Sequence, residues 1–211
     1  MLRFTDATGL FSAGLVCVAT ISALPGLARL RRRYPVAVLG ASALVAWVPL
    51  RTLPVAGYLR GVVGDLSITT DLLLLCSLLR MLFGGGGIDP RNRLALQILV
   101  AVGGLTLYPR SLGFPVSDPY RLGYANPWLL IALFGLALVA WSLQLNLVAS
   151  AIALAVLAWG VGWHESRNLW DYLMDPMAWA YGLGGSIVQG MTTLRGIRGV
   201  EEGVLTNSVP H

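Results

Sequence analysis

A chain of 211 residues that is 56% hydrophobic, only 12% charged and of mean hydropathy +0.71 falls outside the soluble class, in which about a quarter of residues are charged. At about 20 residues per membrane span, there is room for six or seven helices with short loops and none for a hidden soluble catalytic domain. The net charge of +5 rests on arginine alone, since all fifteen basic residues are Arg. A coding bias explains that pattern, and no nucleic-acid partner is expected from it.

Residues 10–24 form the first apolar run, and Arg29, Arg31, Arg32 and Arg33 follow it. A cleaved signal peptide would carry its charge before the run. The expectation is therefore an uncleaved span, N terminus outside, with the arginines in the cytoplasm. Residues 35–50 return to the outer face, and 51–64 form an external connection with room for a short interfacial helix. Residues 65–83 make the third span, and 84–93, with four glycines in a row and Arg91 and Arg93, an internal loop.

Residues 94–108 form the fourth span. The longest connection, 109–127, is rich in Pro, Gly, Tyr and Arg, the residues of turns. Residues 128–145 and 147–163 read as a helical pair turning near Asn146, with Trp128 and Trp163 at the outer interface. Residues 164–175 are polar and external. Residues 177–194 make a weak seventh span whose Gly182, Ser186 and Gly190 form a small-residue ladder, so it is expected to pack inside the bundle.

The sequence thus predicts an all-α integral membrane protein, a bundle of six or seven transmembrane helices with short loops. Residues 1–194 form a single transmembrane domain and 195–211 a polar cytoplasmic tail. Nine arginines fall inside (29, 31, 32, 33, 80, 91, 93, 195 and 198) and six outside (3, 51, 60, 110, 121 and 167). That bias fits a bacterial inner-membrane protein with its C terminus in the cytoplasm.

Chemistry is concentrated on the outer face, which collects Asp65, Asp71, Asp118, Glu165, Asp171 and Asp175, six of the ten acidic residues. Asp71 lies about two turns into an apolar helix, where a charge costs about 2.5–3.5 kcal/mol on insertion scales. Two readings stand: a carboxylate paired with Arg51 or Arg60 at a substrate or proton site, or a structural tie between helices. Asp65 follows Gly64 and reads as the cap of the same helix. Arg80 is expected to snorkel to the cytoplasmic surface.

His164, Asn168, Asp171 and Asp175 share one helical stripe, opposite an apolar face of Leu169, Trp170, Leu173 and Met174. An interfacial amphipathic helix accounts for that pattern. The sharper alternative makes His164 a general base oriented by a carboxylate, with Asp71 and Asp171 as further catalytic candidates. Asp171 and Asp175 at i, i+4 give only a weak metal signal, and no metal site is expected. Arg51, Arg60, Arg110 and Arg121 are candidates for an anionic group, because guanidinium forks suit phosphate.

Cys17 and Cys76 lie within apolar runs and read as small hydrophobes, which leaves no disulfide framework. His164 and His211 are the only histidines, so a haem held by two helical histidines is not available, and no cofactor is expected. Motifs of zinc proteases, serine hydrolases and phosphate loops are absent. The expected function is a non-catalytic membrane subunit or assembly factor whose polar outer face binds a partner protein or an anionic lipid-linked intermediate. The alternatives are a small intramembrane enzyme of envelope lipid or glycan metabolism, and a transporter coupled through Asp71.

Overall fold

Proline and glycine punctuate the chain into helices. The computed structural model describes the backbone of residues 3–111 and 118–207 and the side chains of 3–109 and 118–192. Helix α1 (Phe4–Ala23) stops at Leu24-Pro25-Gly26, which form a 3₁₀ turn with Leu27. Helix α2 (Ala28–Arg33) carries the arginine cluster, and Pro35 opens α3 (Pro35–Ala46), since proline's fixed φ and missing N–H cost nothing at a first helical position. A small antiparallel hairpin follows, β1 (Pro49–Leu50) against β2 (Leu53–Pro54), with Leu50 opposite Leu53. Its turn holds Arg51 at φ +61°.

Helix α4 (Val55–Val63) ends at Gly64, whose φ of +78° favours glycine. Helix α5 (Ile68–Phe83) ends at Gly84 in the left-handed conformation. Then come α6 (Pro90–Ser111), a 3₁₀ turn at Pro119–Gly123, α7 (Pro127–Ser142), α8 (Asn146–Gly160), α9 (Leu169–Leu173) and α10 (Pro176–Asn207).

Helix α5 joins two packed groups. On one side α1 packs against α3 and α4 through small residues, Ala13, Cys17, Ala46 and Ala56. On the other, α6, α7, α8, α9 and α10 enclose a larger core that includes Leu96, Val100, Leu133, Ile152, Ala155 and Leu173. The longer helices alternate in direction, so the bundle has two distinct ends. One gathers the starts of α1, α5 and α10 with the end of α8. The other gathers the arginines of α2, the glycine loop after α5 and the start of α6. There Asn92 accepts from the Leu147 amide (3.0 Å) and donates to the Gln144 carbonyl (3.2 Å), clamping the α7–α8 turn.

The helical fold and the α7–α8 pair agree with the sequence reading, but the lengths do not. Among the described residues only α1 is long and apolar enough to cross a membrane by length and composition. Helices α3, α7 and α8 are apolar but have 12, 16 and 15 residues, because prolines, glycines and caps cut them short. Asp65 does not cap α5; Ser67 does, accepting from the Thr70 amide (3.3 Å).

Among its described side chains, helix α10 packs inside only near its start. Ala178 is buried, whereas Ile187, Val188 and Met191 are exposed. Gly182 makes the close approach to α6, while a Cβ on Gly190 would meet nothing. The tail after residue 207 and the side chains of Arg195 and Arg198 lie outside the described residues.

Candidate functional site

Arg60 organises the first polar cluster. It leaves the last turn of α4 and reaches across α1 over Gly9, where any Cβ would strike the guanidinium. Its Nε donates to Asp65 (2.9 Å), Nη1 to Asp6 (3.4 Å) and Nη2 to the Thr5 carbonyl (3.3 Å), with Glu165 at 3.6 Å. One cation thus ties α4 to the start of α1, the approach to α5 and the segment after α8.

Asp71 lies deeper, 9% exposed, and accepts from Ser12 Oγ on α1 (2.6 Å). Ser12 sits one turn below Thr8, whose hydroxyl donates to the Trp163 carbonyl. The other carboxyl oxygen of Asp71 is buried with no hydrogen-bond partner among the described residues. Asp71 also borders an apolar cleft of about 340 Å³ between α1, α5 and α8, walled by Phe11, Leu15, Leu72, Leu75 and Leu157. The expected pairing with Arg51 or Arg60 is not formed: Arg60 is engaged elsewhere, and Arg51 is exposed on the hairpin.

Residues 164–175 do not form the predicted amphipathic helix. Only Leu169–Leu173 is helical, because Asn168 stops the chain by capping it, accepting from the Trp170 amide (3.0 Å). The apolar face of Leu169, Leu173 and Met174 is buried against the protein core.

Asp171 accepts from Tyr120 Oη (2.9 Å to each oxygen) and from Ser166 Oγ (2.5 Å). Asn168 donates to the Tyr120 carbonyl (2.9 Å), and Trp170 Nε1 to that of Pro119 (3.1 Å). Gly123 permits this approach, since a side chain there would collide with Asn168. Asp175 caps α10 through the Ala178 amide (2.7 Å) and takes the Ser67 amide (2.7 Å) with its other oxygen. The i, i+4 acids therefore face different partners and hold the 3₁₀ turn and α5, which removes them as a ligand pair.

His164 is 4% exposed and stacks on Tyr172, ring centroids 4.5 Å apart. Tyr172 Oη donates to the Ser166 carbonyl (3.0 Å) and accepts from the His164 amide (3.1 Å). Both imidazole nitrogens lack partners among the described residues, so no carboxylate orients His164 as a general base. Burial holds the imidazole below its ordinary value of 6.5. The unfolded chain then takes the proton first on acidification. His164 favours the fold fully above about pH 6.5 and loses that contribution as pH falls towards its folded value. Unfolding followed against pH should show this acid-side loss, with a shallower slope in His164→Phe; an unchanged slope would remove the assignment.

The structure thus gathers Arg60, Asp71, His164 and Asp171 at one end of the bundle, but Arg60, Asp71 and Asp171 sit in separate hydrogen-bonded locks and the His164 ring is buried apart from them. Arg121 is exposed on the 3₁₀ turn, and Arg51 stands apart on the hairpin. The side chain of Arg110 lies outside the described residues. Asp6, Ser12, Tyr120 and Tyr172 are working residues that the sequence reading missed, and Asn168, read there as part of a helical stripe, is a cap. Thr5, Thr8 and Ser12 at helical spacing in an apolar run were a readable signal for part of this; nothing local marks Tyr120 as the partner of Asp171. No protein-family model, no curated protein and no solved structure matches the chain.

Proposed function

We propose that this is a polytopic membrane protein, six or seven helices deep in a bacterial inner membrane, that acts as a non-catalytic subunit or assembly factor. In this reading its N terminus and polar end face outward and its C terminus lies in the cytoplasm. The polar end docks a partner protein. One observation carries the docking role: apart from Asp71, the acid–base candidates there and Arg60 are locked or sealed rather than open to a substrate. His164 is sealed beneath Tyr172, Asp171 is held by Tyr120 and Ser166, and Arg60 is shared by Asp6, Asp65 and Glu165. Such locks make a rigid surface, and Arg121, Arg167, Leu122 and Tyr124 stand exposed upon it.

The outer faces of the helices support the membrane setting. On α7, which has no charged residue, Trp128 is 75% and Phe134 68% exposed, and Ile131 and Trp141 also face outward. Water would penalise such a surface, whereas lipid would not. At 1.5 Å per residue a 16-residue helix spans about 24 Å. The shortfall against a hydrocarbon core of about 30 Å is met by local bilayer thinning and interfacial tryptophans.

Two measurements test this. The protein should stay in the membrane pellet through an alkaline carbonate wash; release into the supernatant would end the membrane reading. After gentle solubilisation it should co-purify with a partner, and Arg121→Glu with Arg167→Glu should abolish the complex without lowering expression. A chain that always purifies alone overturns the docking role.

A second reading, coupling through Asp71, is favoured by its unpartnered oxygen beside the apolar cleft. Asp71→Asn keeps an acceptor for Ser12 and is expected to leave complex formation intact. Loss of transport in that variant, with the complex intact at normal expression, would shift the balance to coupling through Asp71.

A further inference from the structure

The opposite end of the bundle holds a cleft that the docking role does not use. It has a volume of about 760 Å³ and lies between the end of α1, helix α2 and the last turns of α5. Arg31, Arg32 and Arg80 line it, and among the described residues no Asp or Glu does. Arg31 is held in place, its Nη1 donating to the Ser22 carbonyl (2.7 Å). Arg80 lies along the glycine loop, where a Cβ on Gly87 would sit 2.9 Å from its Nη1. The remaining wall is largely apolar, with Leu78, Met81 and Leu82 facing the same space.

We infer that this cleft seats one anionic phospholipid, its phosphate on Arg32 and Arg80 and its acyl chains along the wall of α5. Charge and shape decide the class. Three guanidinium groups with no counter-charge among the described residues suit a phosphate. An apolar wall continuous with them would be wasted on a free phosphate ion, and the arginines would be wasted on a neutral lipid. Basic pockets between helices at the cytoplasmic side of a bundle are a recognised seat for anionic head groups. The inference rests on the membrane reading above.

The test uses the full chain, purified in neutral detergent and challenged with phosphatidylglycerol, phosphatidylcholine or inorganic phosphate. Bound lipid is counted by native mass spectrometry. Phosphatidylglycerol should bind about thirtyfold more tightly than phosphatidylcholine, whose choline ammonium offsets its phosphate; that is the effect of two arginines near a head group of net negative charge. Arg32→Gln with Arg80→Gln should remove that preference while phosphatidylcholine binding and the melting temperature persist, which shows that the variant is folded.

Arg91→Gln with Arg93→Gln removes the same charge from the neighbouring loop and should keep the preference. An equal loss there would reduce the effect to net charge and overturn the site. Equal binding of the two lipids overturns it as well, and so does full competition by millimolar inorganic phosphate, which would mark a site for a free anion. A chain that washes off the membrane in carbonate fails the membrane reading, whereas one that stays but shows no lipid preference fails only this site.

Discussion

Arg60→Gln is expected to destabilise the protein by about 2 kcal/mol, between the scale of an exposed ion pair and that of removing one partner of a fully buried one. Its side chain is 19% exposed and that of Asp65 20%, so this 2.9 Å pair supplies most of the effect. Glu165 is 61% exposed, and its contact is screened by solvent and adds little. The substitution leaves Asp6 and Asp65 close together with no cation between them. It also removes the donor to the Thr5 carbonyl that helps hold α4 against α1. The packing there cannot compensate, since that contact is made mainly by alanines and a cysteine.

Arg60→Lys should fall between, because an ammonium keeps the charge but loses the planar fork. Arg51→Gln, on the exposed hairpin, should change stability by less than about 0.5 kcal/mol. Denaturant unfolding in a fixed micelle composition reads all three. The double variant Arg60→Gln with Asp65→Asn should recover part of the loss, because it removes the stranded carboxylate together with its partner. If Arg60→Gln matched the wild type, the cluster would be an ornament of the surface, and the rigid docking end would lose its main fastening.

The distribution of apolar residues made the helical class legible, and prolines and glycines made most boundaries legible. Asn146 marked the α7–α8 turn, and Gly84 the end of α5, because both positions are local problems of backbone geometry. The polar end was legible only as a gathering of charges. Asp71 stood out by depth, but its partner is Ser12, from a helix that arrives 59 positions earlier. A serine carries no charge to balance, so the expectation turns to the arginines of the preceding connection, Arg51 and Arg60.

The segment 164–175 misled for a related reason. Its i, i+4, i+7 pattern fits an amphipathic helix, yet Asn168 and Ser166 find better bonds with backbone groups than a helix would offer. Ser166 Oγ accepts from the Asn168 amide (3.0 Å), and Asn168 caps α9. Short polar side chains compete with the helix in this way wherever a turn gives them backbone partners. Tertiary contact with Tyr120 then selects the turn.

Gly182→Leu should be at least as damaging as the loss of Arg60, and its reason lies in backbone contact. Helices α6 and α10 form the most extensive helix pair in the bundle. At Gly182 a Cβ would lie 2.7 Å from the Gln97 carbonyl oxygen and 3.0 Å from the Ala101 amide nitrogen. Neither backbone group can turn aside. At Gly104 and Gly185 the obstacles are instead the side chains of Trp179 and Gln97, which have rotamers to use. Overpacking of this kind costs about 1–3 kcal/mol, so Gly182→Ala is expected near the lower figure and Gly182→Leu at or above the upper one.

Gly190→Ala supplies the opposite sign on the same helix. Its Cβ would enter open space, and replacing glycine within a helix gains up to about 1 kcal/mol. Thermal melting of the three variants side by side checks the contrast; destabilisation by Gly190→Ala equal to that by Gly182→Ala would mean that helix contact at Gly182 is not the cause. The consequence reaches the polar end. Helix α10 is capped by Asp175, whose carboxylate also takes the Ser67 amide at the start of α5. Pushing α10 away from α6 therefore pulls on the lock that sets α5 and, one turn further along it, Asp71.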